Sequence, residues 1–146
     1  MTATKSRASR TAKNADHFPD SRGTILVADD SLTVLRLIDR TLRDSGYQVI
    51  LADDGRKAVD IAIESQPDMI VLDINMPELD GYGVCHELLA HQRWDRSPPV
   101  VFLTRDDAPH LTTRGNQLGA FLSKPTEPDR LLATVGRLIR RKQSAL

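Results

Sequence analysis

Five short apolar runs separated by stretches of helical spacing constrain this chain more than any other feature. Thr24–Ala28 (TILVA), Gln48–Ala52 (QVILA), 69–72, 100–103 and 121–123 are too short for buried helices and read as strands. Their near-continuous apolar character fits strands covered on both faces. Between them, Ser31 offers an N-cap to a helix in which Leu32, Leu35, Ile38 and Leu42 recur until Gly46. Asp54-Gly55 reads as a turn, followed by a helix marked by Ala58, Val59, Ala62 and Ile63 that stops before Pro67. A third helix is expected over 81–92 with Val84, Leu88 and Leu89 inward, and a weak fourth over about 109–118. Thr126-x-x-Asp129 resembles a capping box for a last helix lined by Leu131, Leu132, Val135, Leu138 and Ile139. Strand–helix alternation of this kind predicts an α/β fold: a doubly wound, five-stranded parallel sheet with helices on both faces.

At 146 residues the chain is one domain's worth, able to bury a core without disulfide staples. The lone Cys85 excludes a disulfide framework and a multi-cysteine zinc site. No apolar run nears the ~20 residues of a membrane helix, and the start MTATKSRASR lacks the apolar stretch of a secretory signal. The expected setting is a reducing cytoplasm. The zero net charge hides segregation: residues 1–22 carry +3, 137–142 carry +4 and 23–136 carry −7. The expected organisation is a flexible basic extension at 1–22, a domain at 23–142 and a short tail at 143–146. Without interleaved aromatics, the basic extension reads as solvated chain rather than a nucleic-acid contact.

In a doubly wound sheet, ligands bind beyond the carboxyl ends of the strands, where strand order reverses. Asp29 and Asp30 follow the first strand, Asp73 the third, Thr104 the fourth and Lys124-Pro125 the fifth. Each alone could be a solvated loop residue; together they bring carboxylates, a hydroxyl and an ammonium to one edge. Two carboxylates ~4 Å apart repel by about 4 kcal/mol at an effective dielectric near 20, so the set calls for a cation. Oxygen ligands suit Mg2+, and Mn2+ would also fit; no His or Cys favours a softer metal. A divalent ion, a lysine, a hydroxyl and one carboxylate nucleophile suit phosphoryl transfer onto an aspartate.

The motifs ILVADDS (25–31), VLDINMPELDG (71–81), VVFLT (100–104) and LSKP (122–125) resemble those of the response regulator receiver domain of bacterial two-component systems. The resemblance covers about 23–142 and implies the flavodoxin-like strand order 2-1-3-4-5. It implies Asp73 as phospho-acceptor and Mg2+ bound by Asp30, Asp73 and the Asn75 carbonyl, with Asp29 acting through water or directly. It also implies Thr104 as switch hydroxyl, Phe121 as switch aromatic, Lys124 as phosphate partner and a cis bond before Pro125. The donor would be a sensor histidine kinase or a histidine phosphotransfer protein. Output would pass to a protein partner through the fourth helix, fifth strand and fifth helix, from a monomer or a weak phosphorylation-dependent dimer. The chain ends near the domain boundary, so a stand-alone, non-enzymatic module of the chemotaxis or motility type is expected.

Three features depart from the family pattern. Arg105 stands where relatives carry a small residue and is expected to narrow access to Asp73 or alter phosphate lifetime. GAFLSKP is about two residues short before the fifth strand. Pro109, Thr112, Thr113 and Gly115-Asn116 are poor helix formers, so a short or mobile fourth helix is expected. Other readings fit less well. An aspartyl-phosphate hydrolase needs a second Asp where Asn75 stands; a flavin carrier would not follow its first strand with Asp29-Asp30-Ser31; a calcium loop fails at Glu78. A receiver-like binding module that works without phosphorylation is the remaining alternative. His17, His86, His91 and His110 read as surface residues, Cys85 as a packed or partly exposed thiol, and Trp94 as cover for an apolar edge or a partner contact.

Overall fold

The computed structural model describes residues 21–94, 98–105 and 120–144. The N-terminal extension up to residue 20 with His17, the predicted fourth helix with His110, and residues 145–146 lie outside them. The five strands are β1 (Thr24–Ala28), β2 (Gln48–Ala52), β3 (Met69–Asp73), β4 (Val100–Thr104) and β5 (Ala120–Ser123). Every pairing is parallel, in the order β2-β1-β3-β4-β5. Among the described residues there are four helices: α1 (Leu32–Asp44), α2 (Gly55–Ser65), α3 (Gly81–Ala90) and a C-terminal helix (Pro128–Ser144).

Alternate residues of the strands feed two cores. Leu26, Ala28, Ile70, Leu72 and Phe102 pack with Ala58, Ala62, Val84 and Leu88 on the α2–α3 face. Ile25, Val27, Met69, Val71, Val101 and Leu103 pack with Leu35, Ile38, Leu42, Leu131, Val135 and Ile139 on the other. The period-2 side-chain alternation of each strand thus supplies both layers, which is why the runs are apolar throughout.

Four local expectations are corrected. Leu32 is 58% exposed; the inward stripe of α1 is Leu35, Ile38 and Leu42, and Leu32 falls to its side. Leu89 is 47% exposed; the inward stripe of α3 is Gly81, Val84, Cys85 and Leu88, and Leu89 sits one position past it. Asp54 is not a free turn but the N-cap of α2, its side chain accepting from the Lys57 N–H at 2.8 Å. The Thr126 hydroxyl donates to the Ser123 carbonyl at 3.0 Å instead of capping the last helix. That helix opens on Pro128, with the Glu127 carbonyl accepting from Leu131 N–H at 3.0 Å. Proline suits a first helical position, where its missing N–H would have no partner anyway. Trp94 is half-buried against the α2–α3 core, and Cys85 is buried within it, which pushes its thiol pKa up to about 12. Among the described residues no helix is long and apolar enough to cross a membrane.

Candidate functional site: an acidic pocket at the carboxyl edge

The chain runs outward from β1 to β2 on one side and returns to β3 on the other, so the carboxyl ends of β1 and β3 flank the point where strand order reverses. The site loops are tied to neighbouring strands just past the sheet. Asp29 N–H donates to Ala52 O at 3.1 Å, Ile74 N–H to Leu103 O at 3.1 Å and Lys124 N–H to Thr104 O at 2.8 Å. The candidate side chains therefore stand on backbone that is hydrogen-bonded to the neighbouring strands.

Asp29 is fully buried. One of its oxygens, Oδ1, accepts from the Ser31 N–H at 2.9 Å, and Oδ2 lies 2.7 Å from Lys124 Nζ. Asp73, the last residue of β3, is 3% exposed. Its Oδ1 stands 3.3 Å from Lys124 Nζ and accepts from the Asn75 N–H at 3.3 Å. Asp30 is exposed beside them, and oxygens of Asp29, Asp30 and Asp73 all lie within 4.8 Å of one another. One ammonium thus faces two buried carboxylates and a third at the rim. Burial and the Asp29 charge push the Asp73 pKa up to about 6, against the lowering pull of Lys124 and the Asn75 N–H.

The donor set fits a hard divalent cation. It is all oxygen, its excess charge is negative, and small side-chain movements would bring its oxygens to the ~3–4 Å mutual spacing that metal–oxygen distances near 2.1 Å require. Asp30 and Asp73 are the available carboxylates, since Asp29 already spends one oxygen on backbone and the other on Lys124.

Thr104 ends β4 and is buried; β4 pairs with β3 through Asp73 and Leu103. The Lys124-Pro125 peptide bond is cis. Phe121 is half-buried, its ring 5.3 Å from that of Phe102 and tilted by 33°. Asn75 and Arg105 are exposed next to Asp73 and Thr104 respectively. The sequence reading missed two things. Lys124 is bound most closely to Asp29, and the loop after β3 is pressed against α2 through Gly55. The first had a signal: an Asp two residues before a helix N-cap readily bonds backbone and turns its other oxygen inward.

Sheet order and acidic edge together define a doubly wound α/β domain with a carboxylate cluster at its switch point. A family profile described as "Response regulator receiver domain" matches residues 25–136, and the chain belongs to that family. It is similar to a "Probable transcriptional regulator ycf27" of Cyanophora paradoxa, 40% identical over 82% of this chain and 49% of that protein. It is also similar to the "Alkaline phosphatase synthesis transcriptional regulatory protein PhoP" of Bacillus subtilis, 37% identical over 83% of this chain and 50% of that protein. The chain spans about half the length of the curated relatives it matches. Among solved structures it resembles chemotaxis protein CheY4 of Vibrio cholerae, with TM-score 0.72 and 32% identity over 79% of this chain and 97% of that one. The receiver domain of sensor histidine kinase PA1611 from Pseudomonas aeruginosa matches with TM-score 0.72 and 31% identity over 81% of this chain and 98% of that one; in that structure a magnesium ion is coordinated in the active site cleft.

Proposed function

We propose that this receiver is a Mg2+-dependent phospho-acceptor that takes a phosphoryl group on Asp73 from a phosphohistidine of a sensor histidine kinase or a histidine phosphotransfer protein. The observation that carries the reading is the crowding of Asp29 and Asp73, both buried, around the single ammonium of Lys124, with Asp30 at the rim. So much unbalanced negative charge in a pocket is costly unless a cation or a phosphoryl group's partners use it.

Asp73 attacks the phosphorus of the donor. An O–P bond forms as the donor's N–P bond breaks, and the electron pair leaves with the donor imidazole. Among the described residues the contacts to Asp73 are on Oδ1, and the other oxygen would be the nucleophile. With a pKa of about 6 the carboxylate is mostly ionised at neutral pH, as attack requires. Lys124, whose ammonium lies 3.3 Å from Asp73 Oδ1, would pair with a phosphoryl oxygen, and Thr104, at the end of the neighbouring strand, would donate to another. Asp30, Asp73 and the Asn75 carbonyl would hold Mg2+, or Mn2+ in its place, with Asp29 acting through water; the ion supplies neutralisation of phosphoryl charge. None of these residues turns over a substrate; the chemistry modifies the domain itself.

The phosphoryl group adds roughly −2 charge and three acceptor oxygens. Drawing Thr104 toward it would vacate space beside Phe121, whose ring already leans on Phe102. That two-state element would signal through the face containing β5 and the C-terminal helix to a protein partner in the cytoplasm, from a monomer or a weak dimer. The relatives' names span transcription and chemotaxis, so the partner is given only as a protein that prefers one of the two states.

Incubation with acetyl phosphate and Mg2+, followed by intact mass measurement, tests the proposal. A one-phosphoryl mass increase in the wild type and none in Asp73→Asn supports it. No increase with acetyl phosphate or with histidine-phosphorylated donors would favour a module that binds without phosphorylation.

A further inference from the structure

The loop joining β3 to α3, residues 74–80, carries Asn75 and is clamped from two sides by glycines. Gly55, the first residue of α2, is buried against it. A methyl group on Gly55 would stand 1.8 Å from the Leu79 carbonyl oxygen, 2.7 Å from its carbonyl carbon and 2.8 Å from Leu79 Cβ. The Gly55 N–H donates to the Pro77 carbonyl at 3.4 Å, and Leu79 N–H donates to the same carbonyl at 2.7 Å. Glu78, between them, takes the left-handed backbone at φ 70°. On the other side, a methyl on Gly81 would stand 2.7 Å from the Asp73 carbonyl oxygen, and its N–H donates to the Ile74 carbonyl at 2.8 Å. The helices doing the clamping are themselves joined, since Arg56 of α2 donates to both carboxylate oxygens of Glu87 on α3, at 2.6 and 2.7 Å.

We infer that Gly55 is a positioning residue for the Mg2+ site: its bare backbone, seated on the Leu79 carbonyl, sets where the 74–80 loop lies and so where the Asn75 carbonyl stands beside Asp73. The inference rests on the phospho-acceptor reading and extends it to an element, α2, that contributes no side chain to the carboxylate cluster. Any side chain at position 55 meets backbone, which cannot rotate away. The loop is pinned at Gly81, so the displacement falls on residues 75–79. Mg2+ demands near-ideal octahedral geometry and tolerates such displacement poorly.

Gly83 provides the comparison. A methyl there would also crowd Leu79, but at the flexible tip of its side chain, 2.6 Å from Cδ1 and 3.1 Å from Cγ, with Asp80 Oδ1 at 3.3 Å. Gly83→Ala should therefore move a side chain and leave the loop backbone in place.

The experiment is calorimetric titration of MgCl2 into the metal-free full chain, with 15N amide spectra following the Mg2+-induced shift of Asn75. Wild type, Gly83→Ala and Glu78→Gly are expected to bind alike. Gly55→Ala is expected to bind about tenfold more weakly or worse, the usual consequence of loosening a metal ligand's outer support, and to lose the Asn75 shift. If Gly55→Ala does not fold, the double variant Gly55→Ala/Glu78→Gly, whose glycine lets the loop yield, should fold and show the same loss. A folded Gly55→Ala variant that binds as tightly as wild type overturns the inference and leaves the phospho-acceptor reading standing. An equal loss in Gly83→Ala overturns it too, because the effect would then be crowding in general. Failure of both Gly55 variants to fold assigns Gly55 to the fold alone and overturns the positioning role. Absence of Mg2+ binding by the wild type overturns both readings.

Discussion

Two aspartates bracket β3, Asp68 just before it and Asp73 at its end, and their surroundings differ in kind. Asp68 is half-buried and its Oδ2 accepts from the Thr24 N–H at 2.8 Å, closing the amino end of β1 onto β3. A cleft of about 350 Å3 at that end of β1 and β2 is lined by Thr24, Arg43, Tyr47 and Gln48 and contains no carboxylate cluster. Asp73 instead lies buried beside a second carboxylate, shares one lysine with it and has its pKa pushed up to about 6. A carboxylate matched by a backbone donor holds a fold together. Carboxylates crowded beyond their counter-charge repel one another, and an incoming cation would relieve that repulsion.

The sharpest way to break the contrast is to remove each carboxylate in turn. Asp73→Asn should abolish phosphorylation by acetyl phosphate with Mg2+, while Asp68→Ala should leave the phosphorylated fraction unchanged, both read by intact mass. Labelling of Asp73→Asn at the wild-type level would move the acceptor elsewhere.

Next in size is the shared lysine. Lys124→Met leaves Asp29 buried with no counter-charge, so urea unfolding of the metal-free protein at pH 7 should show a loss of about 3–5 kcal/mol. Mg2+ should restore part of it. A loss no larger than that of a surface ion pair would mean that Lys124 does not hold the pocket.

The raised pKa of Asp73 has a definite sign. A carboxyl group that binds its proton more tightly folded than unfolded lowers stability when ionised. The cost is full above pH 6 and is relieved as pH falls from 6 toward 4. Comparing wild type with Asp73→Asn in EDTA should therefore show the variant more stable at pH 7, by at most about 3 kcal/mol, with the gap closing as pH approaches 4. A gap that widens on acidification would overturn the assignment of Asp73 as the destabilising group. Asp68→Ala, by contrast, should cost at least about 1.5–3 kcal/mol at pH 7, the loss of a backbone hydrogen bond to a charged carboxylate.

The smallest effect is expected at Arg105, exposed just past Thr104. Arg105→Ala should change phosphorylation or dephosphorylation rates by more than about twofold, a modest electrostatic contribution beside the loss of Asp73 itself. Rates within that range would make Arg105 a bystander.

Much of this was legible in residue order. Apolar runs gave four strands to within one residue and the fifth with its start one residue late, because a strand buried on both faces must be apolar throughout. The acidic residues stood out because they follow those runs. Less legible were contacts made across the fold. The inward face of α3 took Cys85 and released Leu89, since a stripe of four helical positions depends on how the helix is rotated over the sheet. Thr126 looked like a cap but bonded back to Ser123, because the helix opens two residues further on, at Pro128. Gly55 read as a turn residue, and nothing local marks the Leu79 carbonyl packed upon it.

The sequence by itself determined the alternation of strands and helices, the edge at which Asp29, Asp30, Asp73, Thr104 and Lys124 gather, and the kind of cation they suit, because periodicity and ligand chemistry are local properties. Only the tertiary structure decided how one ammonium is divided between Asp29 and Asp73, which carboxylate stays at the rim, and which backbone supports the loop beside it. Those outcomes depend on distances between segments far apart in the chain, and Coulomb energy and steric contact are functions of distance.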